Sequence, residues 1–271
     1  MLATNGFAGV LLNSQHNFAW LTGGASNGID SSRDNGAAWL FVTSTGKRYL
    51  LSNNIETNRM LSEELSGTDF ESVVLPWQIE KGSPSAIYDH AASLVPAGST
   101  LACDIAVPNA HPVERLIANC RYELTPDEVD RYRALSKDAA TALGDISTEL
   151  SPGLTERQIA ARVQNALAEF DITPIVLLVG ADERLESYRH PVPTANMWKR
   201  NLLIAVCARR GGLIASLSRI ICAGEVPTEL QSRTEAAAYV NAKLRSAAVP
   251  GAAAADLYEV AREAYSRVGF E

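Results

Sequence analysis

Thr125-Pro126-Asp127-Glu128-Val129-Asp130-Arg131-Tyr132 marks the point where a long helix must begin, and it divides the chain into halves of different texture. The Thr hydroxyl can accept from a free N–H of the first turn, and Pro fills a position whose missing N–H costs nothing. Glu128 can reach back to the cap and complete a capping box. Downstream, Val129, Tyr132, Leu135, Ala139, Leu143 and Ile146 recur every three or four residues, which lines one face of a helix. Ser151-Pro152-Gly153 stops it. A second box, Thr155 to Gln158, opens another helix carrying Ile159, Val163, Leu167 and Phe170. Three strand-like runs follow, Ile175–Val179, Leu202–Ala208 and Leu213–Cys222, the last two joined through Arg209-Arg210-Gly211-Gly212. Two helices close the chain, one entered through Thr228 to Gln231 and one over Ala252–Val268, giving the order ααβββαα.

Upstream the texture is a mixed α/β alternation. Strand-like runs cover Gly9–Asn13, Phe18–Leu21, Ala37–Val42 and Arg48–Ser52, and the polar, Gly-containing break at Ser44-Thr45-Gly46-Lys47 makes a hairpin of the last two. A helix over Ile55–Leu65, a strand at Ser72–Leu75, a helix over Ser85–Leu94 and a strand at Thr100–Cys103 complete it. The expected fold class is therefore α/β, with a mixed domain over residues 1–121 and a second over 125–271.

Composition bounds the function. At 271 residues with 46% hydrophobic and 20% charged residues the chain can bury a sizeable core. A net charge of −7 gives no general positive field, so nucleic acid is not an expected partner. The longest apolar stretches, Gly6–Leu12 and Leu202–Ala208, are far too short to span a bilayer, and the N-terminus lacks a basic leader pattern. The cysteines at 103, 120, 207 and 222 form no C-x-x-C pair, which fits reduced thiols in a cytoplasm.

Several stretches, in order, resemble the creatinase, aminopeptidase P and methionine aminopeptidase superfamily, whose catalytic domain has the pita-bread fold. They are Glu128–Lys137, Leu150-Ser151-Pro152-Gly153-Leu154-Thr155-Glu156, Val179-Gly180 leading to His190-Pro191, Leu217-Ser218-Arg219, and Pro250-Gly251. Gly9-Val10-Leu11-Leu12 and Asn17-Phe18-Ala19-Trp20-Leu21-Thr22-Gly23 resemble the creatinase-type N-terminal domain. The resemblance implies a creatinase-like N-terminal domain followed by a partial pita-bread domain. Metallopeptidases of the family place an Asp on each of two strands, in patterns close to D-F-G and S-D-I-T-R, to hold a metal pair. Here those stretches read Ile204-Ala205-Val206-Cys207-Ala208 and Ala215-Ser216-Leu217-Ser218-Arg219, and no Asp or Glu occurs from Met197 to Gly224. Cys207 and Ser216 are poor substitutes for anionic oxygen ligands, so neither a metal nor another cofactor is expected.

Creatinase is the metal-free precedent in the family, and the position matching its pocket His is His190, in Tyr188-Arg189-His190-Pro191. A neutral imidazole there would act as general acid and base. Arg219, Tyr188 and Arg33 are the candidate substrate-binding residues; Arg219 can equally serve a structural ion pair, and the strand position carrying creatinase's carboxylate falls at Ser218. Two functions follow. One is a Xaa-Pro peptidase- or creatinase-like hydrolase of a small C–N or peptide bond, metal-independent, acting on a small molecule or short peptide. The other is a non-catalytic pseudoenzyme of the same fold that binds a ligand or associates with a subunit. The family's second half would begin where the sequence ends at Glu271, so either the reading frame is cut short there or an oligomer partner completes the sheet; family precedent suggests a homodimer.

Competing signals are weaker. Gly24-Ala25-Ser26-Asn27-Gly28 fits G-x-S-x-G, but a polar loop follows it where a nucleophile elbow requires a helix. Arg209-Arg210 suits a solvated hairpin tip, and His16 and His111 sit in polar surroundings without ligand spacing. Neither a phosphate-binding P-loop, a zincin helix nor a dinucleotide fingerprint is present.

Overall fold

The structure is a computed structural model that describes residues 1–270. Glu271, the final residue of the expected second domain, lies outside the described residues.

β1 (Gly9–Ser14) is buried along its whole length, because both faces of its sheet are covered. α1 (Gln15–Thr22) follows directly, then β2 (Asn35–Thr43), β3 (Arg48–Asn53), α2 (Thr57–Arg59) running into a π-turn at Met60–Glu64, and β4 (Glu71–Leu75). Next come α3 (Trp77–Gly82), α4 (Ala86–Ser93), β5 (Leu101–Cys103), the short β6 (His111–Pro112) and α5 (Glu114–Arg121). The strands form one mixed sheet in the order β4-β3-β2-β1-β5-β6. Alternation along β1 sends Leu11 to a core with Phe41, Leu51, Ile87 and Leu101, and Val10 and Leu12 to another with Phe18, Leu40, Met60 and Ile117.

One expected strand is a helix. Phe18–Leu21 lies inside α1, since the Ser14 hydroxyl caps the first turn by accepting from Asn17 N–H and Gly23, at φ 73°, supplies the left-handed stop. A run of four apolar residues does not separate strand from helix by periodicity; the caps decide it.

The second unit opens with α6 (Pro126–Glu149) and α7 (Glu156–Ala168), and both expected capping boxes are formed. β7 (Thr173–Ala181), α8 (Glu183–Ser187), β8 (Asn201–Arg210) and β9 (Leu213–Cys222) follow, the strands pairing antiparallel as β7-β8-β9. α9 (Thr228–Ala247) and α10 (Ala254–Arg267) pack on each other. α9 enters through Pro227, whose carbonyl accepts from Gln231 N–H at 3.0 Å, without the side-chain cap expected of Thr228. α6 and α7 cover one sheet face, burying Leu135, Leu143, Ile159 and Val163 against Val179, Leu202, Ile204 and Val206. The opposite face carries Val176, Leu203, Ala205, Cys207, Ser216, Ser218 and Ile220 and is largely open, with Ile220 45% exposed.

The tip of the β8–β9 hairpin joins the two units. Gly211 faces Gly24 backbone to backbone, and a Cβ at Gly212 would stand 2.6 Å from the Ala19 Cβ in α1. Arg131 of α6 donates to the Gly211 carbonyl at 3.3 Å, and the Tyr132 hydroxyl donates to the Ile214 carbonyl. Gly212 also sits at φ 78°, where a side chain is strained. Gly212→Ala is therefore expected to lower stability by about 1–3 kcal/mol. Gly46→Ala, at φ 88° with nothing within 4 Å of its Cβ, bears only the backbone cost. Paired urea titrations measure the difference, and equal losses would show that the hairpin tip does not depend on close docking.

Candidate functional site

The segment from Asp182 to Asn201 crosses from the end of β7 to the start of β8 and carries Tyr188 and His190. Two carboxylates fasten it. Glu156, at the start of α7 and fully buried, accepts from Ala181 N–H (3.0 Å) and Arg184 Nε (2.9 Å) through one oxygen. Its other oxygen accepts from Thr194 N–H (2.8 Å) and hydroxyl (2.7 Å). Burial pushes the Glu156 pKa up, but the Thr194 and Ala181 hydrogen bonds and the Arg184 charge outweigh it and hold the carboxyl below the ordinary glutamate value. Asp182 adopts φ 53°, and its carboxylate accepts from the N–H groups of Lys199, Arg200 and Asn201 at 2.8–3.0 Å. Those bonds overcome desolvation and keep its pKa low as well.

His190 lies on this loop, solvent-exposed. A Cβ on Gly180 would meet Pro191 at 2.7 Å, and the Pro191 carbonyl accepts from Val179 N–H at 3.1 Å. Gly180 is the cross-strand neighbour of Leu203, so Pro191 leans over the open face. Tyr188 is 54% exposed, with the Arg184 guanidinium 5.0 Å from its ring centre. Arg219 is elsewhere: its cross-strand partner is Ile204, a fully buried core residue, so its side chain leaves the sheet on the helix-covered face. Its Nη1 donates to the Ser218 carbonyl at 2.8 Å, and it has no carboxylate partner among the described residues. Arg33 is a surface residue paired with Asp30 at 3.0 Å. The sheet thus separates Arg219 from the His190 loop, while Tyr188 and His190 share one segment.

On the open face Ala205 stands opposite Ser218, and Cys207 opposite Ser216, whose hydroxyl donates to the Cys207 sulfur at 3.3 Å. Small neutral groups occupy the strands that the family resemblance assigns to metal-binding aspartates. Hard divalent cations require several anionic oxygens, and among the described residues no group of three or more His, Cys, Asp or Glu is placed to hold a metal ion. The donor set of these strands does not fit the family's metal pair.

A second feature, less legible in the sequence, is a cleft of about 250 Å³ beside the hairpin tip, lined from the first unit by His16 and Ser26 and from the second by Asp171, Ile175, Arg209 and Arg210. The hairpin tip is not simply solvated. Arg210 pairs with Asp138 at 2.8 Å and donates to the Phe170 carbonyl at 3.0 Å. His16 Nε2 lies 3.3 Å from Glu114 and 3.4 Å from the Ser14 hydroxyl. Ser26 is followed by no helix: Asn27 is buried and donates to the carbonyls of Asn13 and Ala38, both at 2.9 Å. The elbow geometry is absent there.

The model of metallopeptidase family M24 matches residues 130–271, and that of the creatinase/prolidase N-terminal domain matches residues 1–148. No curated protein matches the sequence. Among solved structures, a prolidase from Pyrococcus horikoshii OT3 is similar at 18% identity and TM-score 0.75, over 99% of this chain and 76% of that one. An X-Pro aminopeptidase from Thermotoga maritima MSB8 is similar at 15% identity and TM-score 0.74, over 98% and 75%. A Xaa-Pro dipeptidase from Bacillus anthracis is similar at 14% identity and TM-score 0.71, over 99% and 75%. At these identities the likeness is one of fold: a prolidase-like N-terminal domain and a partial pita-bread domain.

Glu156 offers a direct test of the clasp. Glu156→Gln leaves Arg184 without its buried partner and is expected to cost about 3 kcal/mol or more in denaturant titrations at neutral pH. Because the folded-state pKa values of Glu156 and Asp182 lie below their unfolded values, the stability they contribute is full above about pH 4.3 and is lost as pH falls through the folded values. The gap between wild type and Glu156→Gln therefore narrows below about pH 4. A gap that does not vary with pH would count against a charged clasp.

Proposed function

The chain belongs to metallopeptidase family M24 and carries the creatinase/prolidase N-terminal domain, and on that premise we propose that it keeps the fold without the family's metal-assisted peptide hydrolysis, acting as a ligand-binding, self-associating protein of the cytoplasm. One observation carries this reading. The strand positions facing the open side are Ala205, Cys207, Ser216 and Ser218, and catalysis by two metals has no anionic oxygens to build on there. His190 adds little by itself, since an exposed imidazole with no oriented carboxylate lacks the third group that fixes its tautomer and role. The exposed apolar side chains Val176 and Ile220 on the same side support association between copies of the chain as a homodimer.

One observation favours the alternative. Pro191 leaning on Gly180 brings the His190 loop to the open face, so a metal-independent hydrolase would work there, with His190 taking a proton from water and returning it to a leaving nitrogen. Arg219, on the other side of the sheet, would not reach that substrate directly.

Elemental analysis of the purified protein before and after incubation with manganese or cobalt, hydrolysis assays on Xaa-Pro dipeptides, and light scattering discriminate the two. The expected result is a dimer with far less than one metal per chain, and no turnover above buffer in wild type or His190→Ala. Near-stoichiometric metal, or turnover that His190→Ala abolishes, would overturn the proposal.

A further inference from the structure

The cleft beside the hairpin tip contains two charged side chains that the fold does not use. Arg210 and His16 are engaged, by Asp138 and the Phe170 carbonyl and by Glu114 respectively. Arg209, only partly exposed, makes no ion pair and no side-chain hydrogen bond among the described residues, and neither does Asp171. Thr173 is the cross-strand partner of Arg209, and Asp171 lies two positions before it at φ 56°. The two opposite charges therefore flank one end of the cleft without pairing with each other. Ala19 of α1, Ile175 and Ile214 add apolar lining to the cleft.

Opposite charges that line one cleft without pairing favour a ligand that carries both. A guanidinium fork matches a carboxylate in two parallel hydrogen bonds, and a carboxylate is the natural partner of an ammonium group. A volume of about 250 Å³ falls below the roughly 300 Å³ at which drug-sized pockets begin, so the ligand is small. We infer that this cleft binds a free α-amino acid as its zwitterion, the carboxylate on Arg209, the ammonium on Asp171 and an apolar side chain against Ile175 and Ile214. The inference stands apart from the reading of the open face: a chain that hydrolysed substrate through His190 would contain the same cleft.

Isothermal titration of the full chain with L-leucine tests the site. Probes with one charge each, 4-methylpentanoate for the carboxylate and isoamylamine for the ammonium, separate it from a simple anion or cation site. The expected result is saturable binding of one leucine per chain, about tenfold or more tighter than either single-charge probe, since each deletes one charge-assisted contact. Arg209→Gln and Asp171→Asn should each weaken leucine by about tenfold or more. Asn tolerates the left-handed backbone of position 171, so that variant should keep its fold, which circular dichroism checks. No saturable leucine binding, equal affinity for 4-methylpentanoate, or binding indifferent to both substitutions would each overturn the inference. Peptide hydrolysis, measured separately, bears on the function proposed above and leaves this test unaffected.

Discussion

The second unit depends on a carboxylate that water never reaches. Glu156 gathers hydrogen bonds from the end of β7, from α8 and from the loop at Thr194, so three stretches distant in sequence converge on the first turn of α7. A buried charge with fewer donors would be expelled or neutralised; here the donors outnumber what desolvation takes away. The consequence is positional. The loop bearing Tyr188 and His190 has only one short helix of its own, and its place beside the sheet is dictated from outside by Glu156 and, at its hinge, by Asp182.

Much of the framework was legible because local chemistry announced it. Thr125 with Glu128 and Thr155 with Gln158 specified two helix starts, and Arg209 to Gly212 a hairpin, since each depends on neighbours within a few residues. Phe18–Leu21 was misleading: four apolar residues suit a strand, and only the flanking Ser14 and Gly23 make a helix of them. α5 and α8 are only eight and five residues long, too short for a periodic pattern to separate them from the surrounding loops.

The candidate site was harder to read for a different reason. His190 and Arg219 look like companions in sequence-motif terms, yet strand parity places Arg219 with Ile204 on the covered side. Residues that line the junction cleft come from positions near 16, 26, 171 and 209, and no spacing rule links them. Only the docking of Gly211 and Gly212 against Gly24 and Ala19 brings them together, and a glycine pair in a hairpin gives no hint of its distant partner. The acid-free run from Met197 to Gly224 was visible from the start, because an absence over a whole segment does not depend on register.

The central strand of the first sheet has a bearing on how the protein comes into being. β1 pairs antiparallel with β2, which arrives soon after it, but its other flank is filled by β5 in parallel, with Val10 beside Ala102. On a ribosome the chain would emerge with one edge of its most buried strand unsheltered until residues 101–103 had been made, and closing that long loop is entropically slow. Val10, Leu11 and Leu12 are thus made long before their second flank is filled, so the nascent chain presents a sticky strand edge until β5 arrives. In a cell that interval is when a chaperone would have most to do.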